Sequence, residues 1–355
     1  MSGAPSNPRP FHRPLTKVTF AKMKLPHHFL ESPFFLFQYE EDFIKALGDS
    51  ISPAEHQEIA RLLAADLPPV LTRTSLATMF GINPGLIWSF VSRPGKYYRT
   101  FAIPKGKNGG IRVIHAPRVA LKIIQKWIAV QLDKAFSPTS HVFGFVSGRS
   151  HVGAAAEHCN ARWVYSCDIL DFFQSTPVSL VETALQKIGF GKESAALLSR
   201  LSCLNGALAQ GSPASPVLSN ICFQDVDIAL REIAAKYGSR LTRYADDIVF
   251  SGEGEVPEGL ANDVANLFLT TPWKLSAKKT ELAIYPRRLK VHGLLVQGEK
   301  IRLTKGYRNK LRAYTHLLQK DCIKEEDLAV VRGHIRYGEF VHQHSDQSVV
   351  PIIDK

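Results

Sequence analysis

Two apolar β-type runs in this chain end or bend on aspartate, CDILDFF at 167–173 and RYADDIVFSG at 243–252. Asp168 follows Trp163-Val164-Tyr165, and Asp246-Asp247 stands between Tyr244 and Ile248-Val249-Phe250. A strand buries alternate residues, so an aspartate at the end of such a run projects from a rigid sheet edge and not from a wandering loop. Paired aspartates are also an ordinary hairpin-turn signal, and that alternative stands for Asp246-Asp247 taken alone. With Asp168 in the same chain and QGSPASPVLSN at 210–220 between the two runs, a site becomes the better account. Three carboxylates on neighbouring rigid strands suit two divalent ions about 3.5–4 Å apart, the arrangement that activates a 3′-hydroxyl and stabilises a leaving pyrophosphate.

The charge balance agrees. Lys and Arg number 44 against 32 Asp and Glu in 355 residues, a net charge of +12, which calls for a polyanionic partner, either nucleic acid or an anionic membrane surface. No run of 18 apolar residues and no signal-like N-terminus is present. A cytoplasmic protein with no membrane role is therefore expected. The five cysteines (Cys159, Cys167, Cys203, Cys222, Cys322) are odd in number and lack C-x-x-C spacing, as expected of buried thiols in a reducing compartment.

Residues 1–30 read as a basic, disordered-like tail, broken by Pro5, Pro8, Pro10 and Pro14 and charged by Arg9, Arg13, Lys17, Lys22 and Lys24. Residues 31–96 read as a helical extension. Within it SLATMFGINPGLIWSFV (75–91) has a superficial helix-turn-helix look, but Leu76, Met79, Leu86, Ile87 and Phe90 are better spent as the buried faces of two packed helices. Residues 97–117 predict a hairpin turning at Lys107-Asn108-Gly109-Gly110, with Lys105 and Arg112 near each other across it. Such a basic hairpin suits a triphosphate, or is simply a solvated surface. An amphipathic helix follows over 121–136. Further helices are expected over 179–190, with a Ser179/Glu182 capping box and a stop at Gly189, and over 193–204. Ser215-Pro216 opens a helix of about 22 residues ending before Gly238. VHGLLV (291–296) predicts one more strand. The last residues, 301–355, are basic and mostly helical, with an apolar stripe of Tyr307, Leu311, Tyr314 and Leu318, and with Lys305, Arg308, Lys310, Arg312 and Lys320 largely off it. Strands and helices alternate irregularly, which predicts an α+β fold and not a doubly wound sheet.

The aspartate runs, the Gln210-Gly211-Ser212 loop leading to Ser215-Pro216, and the Gly148-Arg149-Ser150 tripeptide resemble bacterial reverse transcriptases of the group II intron-like kind, most closely the retron type. The resemblance runs from about Tyr97 to Val296. It implies a right-hand polymerase fold, with fingers and an antiparallel palm over 97–300, a helical thumb over 301–355, and 31–96 leaning on the fingers. It implies Mg²⁺ as two ions, with Mn²⁺ as a substitute, on Asp168, Asp246 and Asp247, the carbonyl of Ile169 completing one shell. Phe173 falls where the family places an aromatic gate against the ribose 2′-hydroxyl, while Phe172 turns into the core if strand alternation continues. Lys105, Arg112, Gln210 and Gly211 would meet the nucleotide, Gly211 by close backbone approach. Lys279 in LSAKKTEL would act as general acid toward pyrophosphate. Lys305, Arg308, Lys310 and Arg312 would follow duplex phosphates, unless that face is only solvated.

The implied partners are dNTPs, a structured noncoding RNA serving as template and primer, its DNA product joined to RNA through a branch, and an effector protein in anti-phage defence. Two positions depart from retron signatures. Ala154-Ala155-Ala156-Glu157-His158 keeps the histidine of Asn-Ala-x-x-His without its asparagine, and Val291-His292-Gly293 stands for Val-Thr-Gly. They keep open another defence-associated reverse transcriptase with different priming. A maturase is not expected, since nothing follows the thumb. A catalytically idle RNA-binding scaffold fits poorly with the three carboxylates, and an RNA-dependent RNA polymerase fits poorly with Phe173.

Overall fold

Four antiparallel strands order the centre of the molecule, side by side as Arg240–Tyr244, Asp247–Gly252, Trp163–Asp168 and Glu281–Ile284. The computed structural model describes residues 27–48, 51–105 and 110–346. Most of the basic tail and the turn at 106–109 thus lie outside the described residues. Trp163–Asp168 is covered on both faces, which explains its nearly unbroken apolar run. Its alternation sorts two cores. Trp163, Tyr165 and Cys167, with Ile248 and Phe250 of the neighbouring strand, enter the main core; Val164 and Val249 enter a second one with Leu289, Val291, Leu294, Val296, Ile301 and Val341. By the same period of two, Asp168 and Asp247 belong to the face that carries Val164 and Val249.

The main core runs without a break from Leu30 to Trp273. The helices Glu40–Leu47, Pro53–Ala64, Arg73–Phe80 and Pro84–Ser92 pack into it together with Val119–Ala135, Lys192–Ser202 and Ser215–Lys236. Ser52 with Glu55 and Thr72 with Ser75 close reciprocal capping boxes at two of these helix starts. Leu76, Met79, Ile87 and Phe90 are all at most 1% exposed, so the 75–91 segment buries its apolar faces as two packed helices. The 22-residue helix Ser215–Lys236 begins on Ser-Pro as expected. Strands Tyr98–Pro104 and Ile111–Pro117 form the basic hairpin. Helices Lys305–Gln319 and Glu325–Asp346 pack on each other, with Tyr307, Leu311, Tyr314 and Leu318 half-buried between them. No helix among the described residues is long and apolar enough to cross a membrane.

Four local expectations are corrected. The helix expected from Ser179 is Val178–Lys187 with Pro177 at its N-cap, so Ser179 sits inside the first turn and cannot cap it. The Val178 N–H is instead satisfied by the Gly206 carbonyl at 2.9 Å. Residues 203–208 form a tight hairpin, Cys203–Leu204 against Ala207–Leu208, because Asn205 and Gly206 both take positive φ, 53° and 83°. The segment 291–296 is not one strand. His292 and Gly293 turn at φ 48° and 84° between Lys290–Val291 and Leu294–Leu295, and the three-stranded sheet is completed by Arg302–Leu303. Finally, Phe172 is buried as expected, but it and half-buried Phe173 lie in the turns at 170–175, after a positive φ of 44° at Asp171, so their difference in burial does not come from strand alternation.

Candidate active site

Asp168 and Asp247 face each other as an in-register pair of adjacent antiparallel strands. Such partners project from the same face with Cβ atoms about 4.5–5.5 Å apart. Asp246 lies beside them in the two-residue link Ala245-Asp246, closed by the pair Tyr244 and Asp247. Ala245 takes φ 59°, a left-handed backbone that costs a non-glycine residue about 1–2 kcal/mol. The strain is held by neighbours on every side. The Ile169 N–H donates to the Asp246 carbonyl at 2.9 Å, and the Phe143 and Gly144 N–H groups donate to the Arg243 carbonyl at 2.8 and 3.3 Å. A Cβ on Gly144 would run into the backbone nitrogen of Ala245, so glycine is required there. Beneath the turn, fully buried Arg243 forks onto Asp227 at 2.7 and 2.6 Å and also reaches Asn220 at 3.1 Å. This pair ties the Ser215–Lys236 helix to the hairpin that carries Asp246 and Asp247.

The carboxylates crowd one another. Burial, then the charges of Asp246 and Asp168, push Asp247 up to about 7. Asp246 is also raised, by burial first and by Asp168. Lys279 Nζ donates to Asp168 Oδ2 at 2.6 Å. Burial works against its charge, but the bond to Asp168 and the field of all three acids hold the ammonium above its ordinary range. Its side chain is 61% exposed, and a pair so wet is worth only about 0–1 kcal/mol, so Lys279 is free to exchange partners. Lys279 reaches the cluster because the Ser276 N–H bonds the Asp168 carbonyl at 2.8 Å and starts the turn through Thr280. One exposed ammonium leaves most of the anionic charge uncompensated. An all-oxygen donor set with excess negative charge fits hard divalent cations. No group of three His, Cys, Asp or Glu side chains stands ready-made for a metal among the described residues. A backbone carbonyl such as that of Ile169, or substrate phosphate, would have to complete the shell.

Phe172 is buried against Phe223 and Trp273, whereas Phe173 is half-buried, its ring 5.8 Å from that of Phe145. Gln174 Nε2 donates to Gln210 Oε1 at 2.8 Å, which joins the Phe173 turn to the 210–213 loop. Gly211 has φ 122°, and a Cβ there would meet the His115 carbonyl at 2.8 Å and Ile114 at 2.9 Å. Its close approach is therefore to the basic hairpin of this chain, whose His115 N–H also bonds the Gln210 carbonyl at 2.8 Å. Arg112, on the exposed hairpin, lies close enough to lower Asp246 electrostatically. Lys105 is exposed at the strand end, and no side-chain contact ties it to the carboxylates among the described residues.

Lys305, Arg308 and Arg312 are exposed on their helix and make no ion pair with the cluster. Lys310 turns to its neighbour, 3.1 Å from His334 Nε2 and over the rings of Tyr307 and Tyr314. His292 went unnoticed as a site residue. Its Nδ1 is 3.7 Å from Asp247 Oδ2 and its ring 5.3 Å from that of Tyr244, while burial, helped by His151, lowers it to about 4 and keeps it neutral. Phe145 and Gln174 were missed too. The signal for Phe145 was an aromatic directly after Gly144, here at φ 63° and 38% exposed. His158 is a core residue, bridging Ser251 and Thr242 at 2.7 Å each.

The reverse transcriptase (RNA-dependent DNA polymerase) family profile matches residues 103–316. The retron Mx65 reverse transcriptase of Myxococcus xanthus is 30% identical over 299 residues, 78% of this chain and 69% of that protein. The retron Ec86 reverse transcriptase of Escherichia coli is 27% identical over 262 residues, 73% of this chain and 81% of that protein. The retron Se72 reverse transcriptase of Salmonella heidelberg is 26% identical over 260 residues, 71% and 69% of the two chains. A profile spanning more than half of the chain, relatives aligned over most of it, and an α+β core that sets aspartates on adjoining strands lead to one assignment: this chain belongs to the reverse transcriptases, RNA-directed DNA polymerases, and among them to the retron type.

Proposed function

We propose that this polymerase copies a structured noncoding RNA, in the cytoplasm, by nucleotidyl transfer centred on Asp168, Asp246 and Asp247. The single observation that carries the reading is the in-register pairing of Asp168 with Asp247, with Asp246 in the adjoining turn. Mg²⁺, as two ions with Mn²⁺ as substitute, would supply activation of the primer 3′-hydroxyl and neutralisation of the leaving pyrophosphate. The residues do the positioning. The three carboxylates and the Ile169 carbonyl hold the donor set on a rigid edge. Lys279 keeps a proton in the field of the acids and, released from Asp168, offers it to pyrophosphate. Arg112 and Lys105 hold the triphosphate, and Gln210, seated by Gln174 and by the hairpin packed on Gly211, bounds the sugar side.

From the resemblance to the retron type we further propose a template that is also the primer, a branched RNA–DNA product, and a place in anti-phage defence beside an effector protein. His292 in place of threonine at the turn beside Asp247, with Ala154 in place of asparagine, favours a second reading in which priming differs from that of retrons. Purified protein given a structured RNA, dNTPs and MgCl₂ decides the main reading. DNA covalently joined to the RNA is expected, and DNA free of RNA would turn the assignment to the second.

Phe173→Val should open room for a 2′-hydroxyl and lower discrimination against rNTPs by about 1–3 kcal/mol, roughly 5- to 150-fold. Single-nucleotide incorporation with dNTP and rNTP on one template measures the ratio, and an unchanged ratio would place the gate elsewhere. Neutralising Lys305, Arg308 and Arg312 should weaken RNA binding and reduce the log–log salt slope by about 0.7–0.9 for each lost phosphate contact. Lys310, already engaged by His334, should add less. A salt slope identical to that of the wild type would mark the helix as a solvated face.

A further inference from the structure

A cleft of about 490 Å³ opens between the N-terminal helices and the Lys192–Ser202 helix, lined among others by Arg73, Trp88, Ser92, Glu193 and Arg200. It shares no residue with the carboxylate site, and its volume falls in the about 300–1,000 Å³ range of small-ligand clefts. Trp88 is 44% exposed, whereas Trp127, Trp163 and Trp273 are at most 2% exposed. The Arg93 guanidinium lies over the Trp88 ring at 5.6 Å. Arg73, Arg93 and Arg200 are all exposed, and none makes an ion pair or a side-chain hydrogen bond among the described residues. Glu193 is the one carboxylate of the lining, so the cleft carries a net positive charge.

We infer that this cleft binds an unpaired nucleotide of the RNA, its base stacked on Trp88 and its phosphates met by Arg73 and Arg200. The inference rests on the reading that the chain works on RNA. An indole offers a π-face that accepts any base, and Arg supplies both planar stacking and forked phosphate contacts. Single-stranded loops and bulges, with their bases splayed out, are the parts of a folded RNA that such a site can take. A concave cleft with one aromatic ring suits a single nucleotide better than a membrane surface, which would select a protruding apolar face. The site would hold the folded RNA at a second point away from the carboxylates.

All four tryptophans emit, but Trp88 is the one exposed to a ligand from solvent, so a change in intrinsic fluorescence that is present in the wild type and absent without Trp88 reports on the cleft. Single-stranded oligoadenylate RNA should quench the wild-type emission, the quench should vanish in Trp88→Leu, and Arg73→Gln with Arg200→Gln should weaken RNA affinity about tenfold. Primer extension on a short generic primer–template at saturating concentration should stay within about twofold of the wild type in both variants, which also shows that they fold. RNA binding that leaves the Trp88 emission unchanged would overturn the site. So would equal quenching by heparin, which has charge but no bases, or by anionic vesicles. Quenching is scored without catalysis, so failure of the wild type to extend primers would count against the polymerase mechanism and not against the cleft.

Discussion

Asp246→Ala with Asp247→Ala is expected to abolish primer extension while the fold survives. The pair supplies negative charge that no neighbour replaces, since Asp168 is already bonded to Lys279. Charge stabilisation worth several kcal/mol corresponds to a rate loss of about 10³-fold or more. Incorporation of dNTPs at near wild-type rate by the purified variant would refute the site. A second readout needs no activity. Without divalent ions the wild type should lose stability as pH rises from the usual aspartate range through about 7, because the folded state holds the Asp247 proton more tightly than the unfolded chain does. The variant should lack that slope and should melt no lower than the wild type at neutral pH, since it is relieved of buried like charges. MgCl₂ should raise the melting temperature of the wild type and leave that of the variant nearly unchanged.

Arg243→Met is expected to cost about 3–5 kcal/mol, the penalty for leaving a buried carboxylate without its partner. Asp227 is at most 3% exposed, and among the described residues its other close basic neighbour is the His141 ring at 3.5 Å. Burial alone would raise Asp227, but Arg243 and His141 outweigh it and hold the acid below its usual range. The stability it contributes is therefore present above the usual aspartate range and lost as pH falls through the lowered value. Arg243→Met with Asp227→Leu should recover most of the loss, because an apolar pair of similar volume needs no compensation. Urea unfolding of the three proteins at pH 7 tests this; a single variant within 1 kcal/mol of the wild type would contradict it. Activity of the single variant should also fall, since the pair anchors the hairpin that carries Asp246 and Asp247.

Much of the site was legible in the chain because it is written in local periodicity. Alternating burial placed Asp168 at the end of one strand and Asp247 at the start of another, and Ser215-Pro216 marked the start of the long helix. The misplaced features share a different origin. Ser179 looks like a cap until Pro177 and the Gly206 carbonyl occupy that place, and the close backbone approach read at Gly211 is made by the His115 carbonyl of the hairpin. In both cases the competing partner comes from another element.

The amino-acid pattern was enough to put Asp168 and Asp247 on strands, to pick out helices that bury one face, and to show an acidic cluster in a basic chain. Packing alone established which of those residues meet: Lys279 with Asp168 across 111 positions, His292 with Asp247, Phe145 with Phe173, and Arg243 with Asp227 beneath the turn. Backbone period is a property of neighbours along the chain, and it repeats every 2 or 3.6 residues whatever the rest of the molecule does. The charge state of Asp247 and the surroundings of Phe173 depend on desolvation and on side chains brought from distant segments, and those are properties of the closed core.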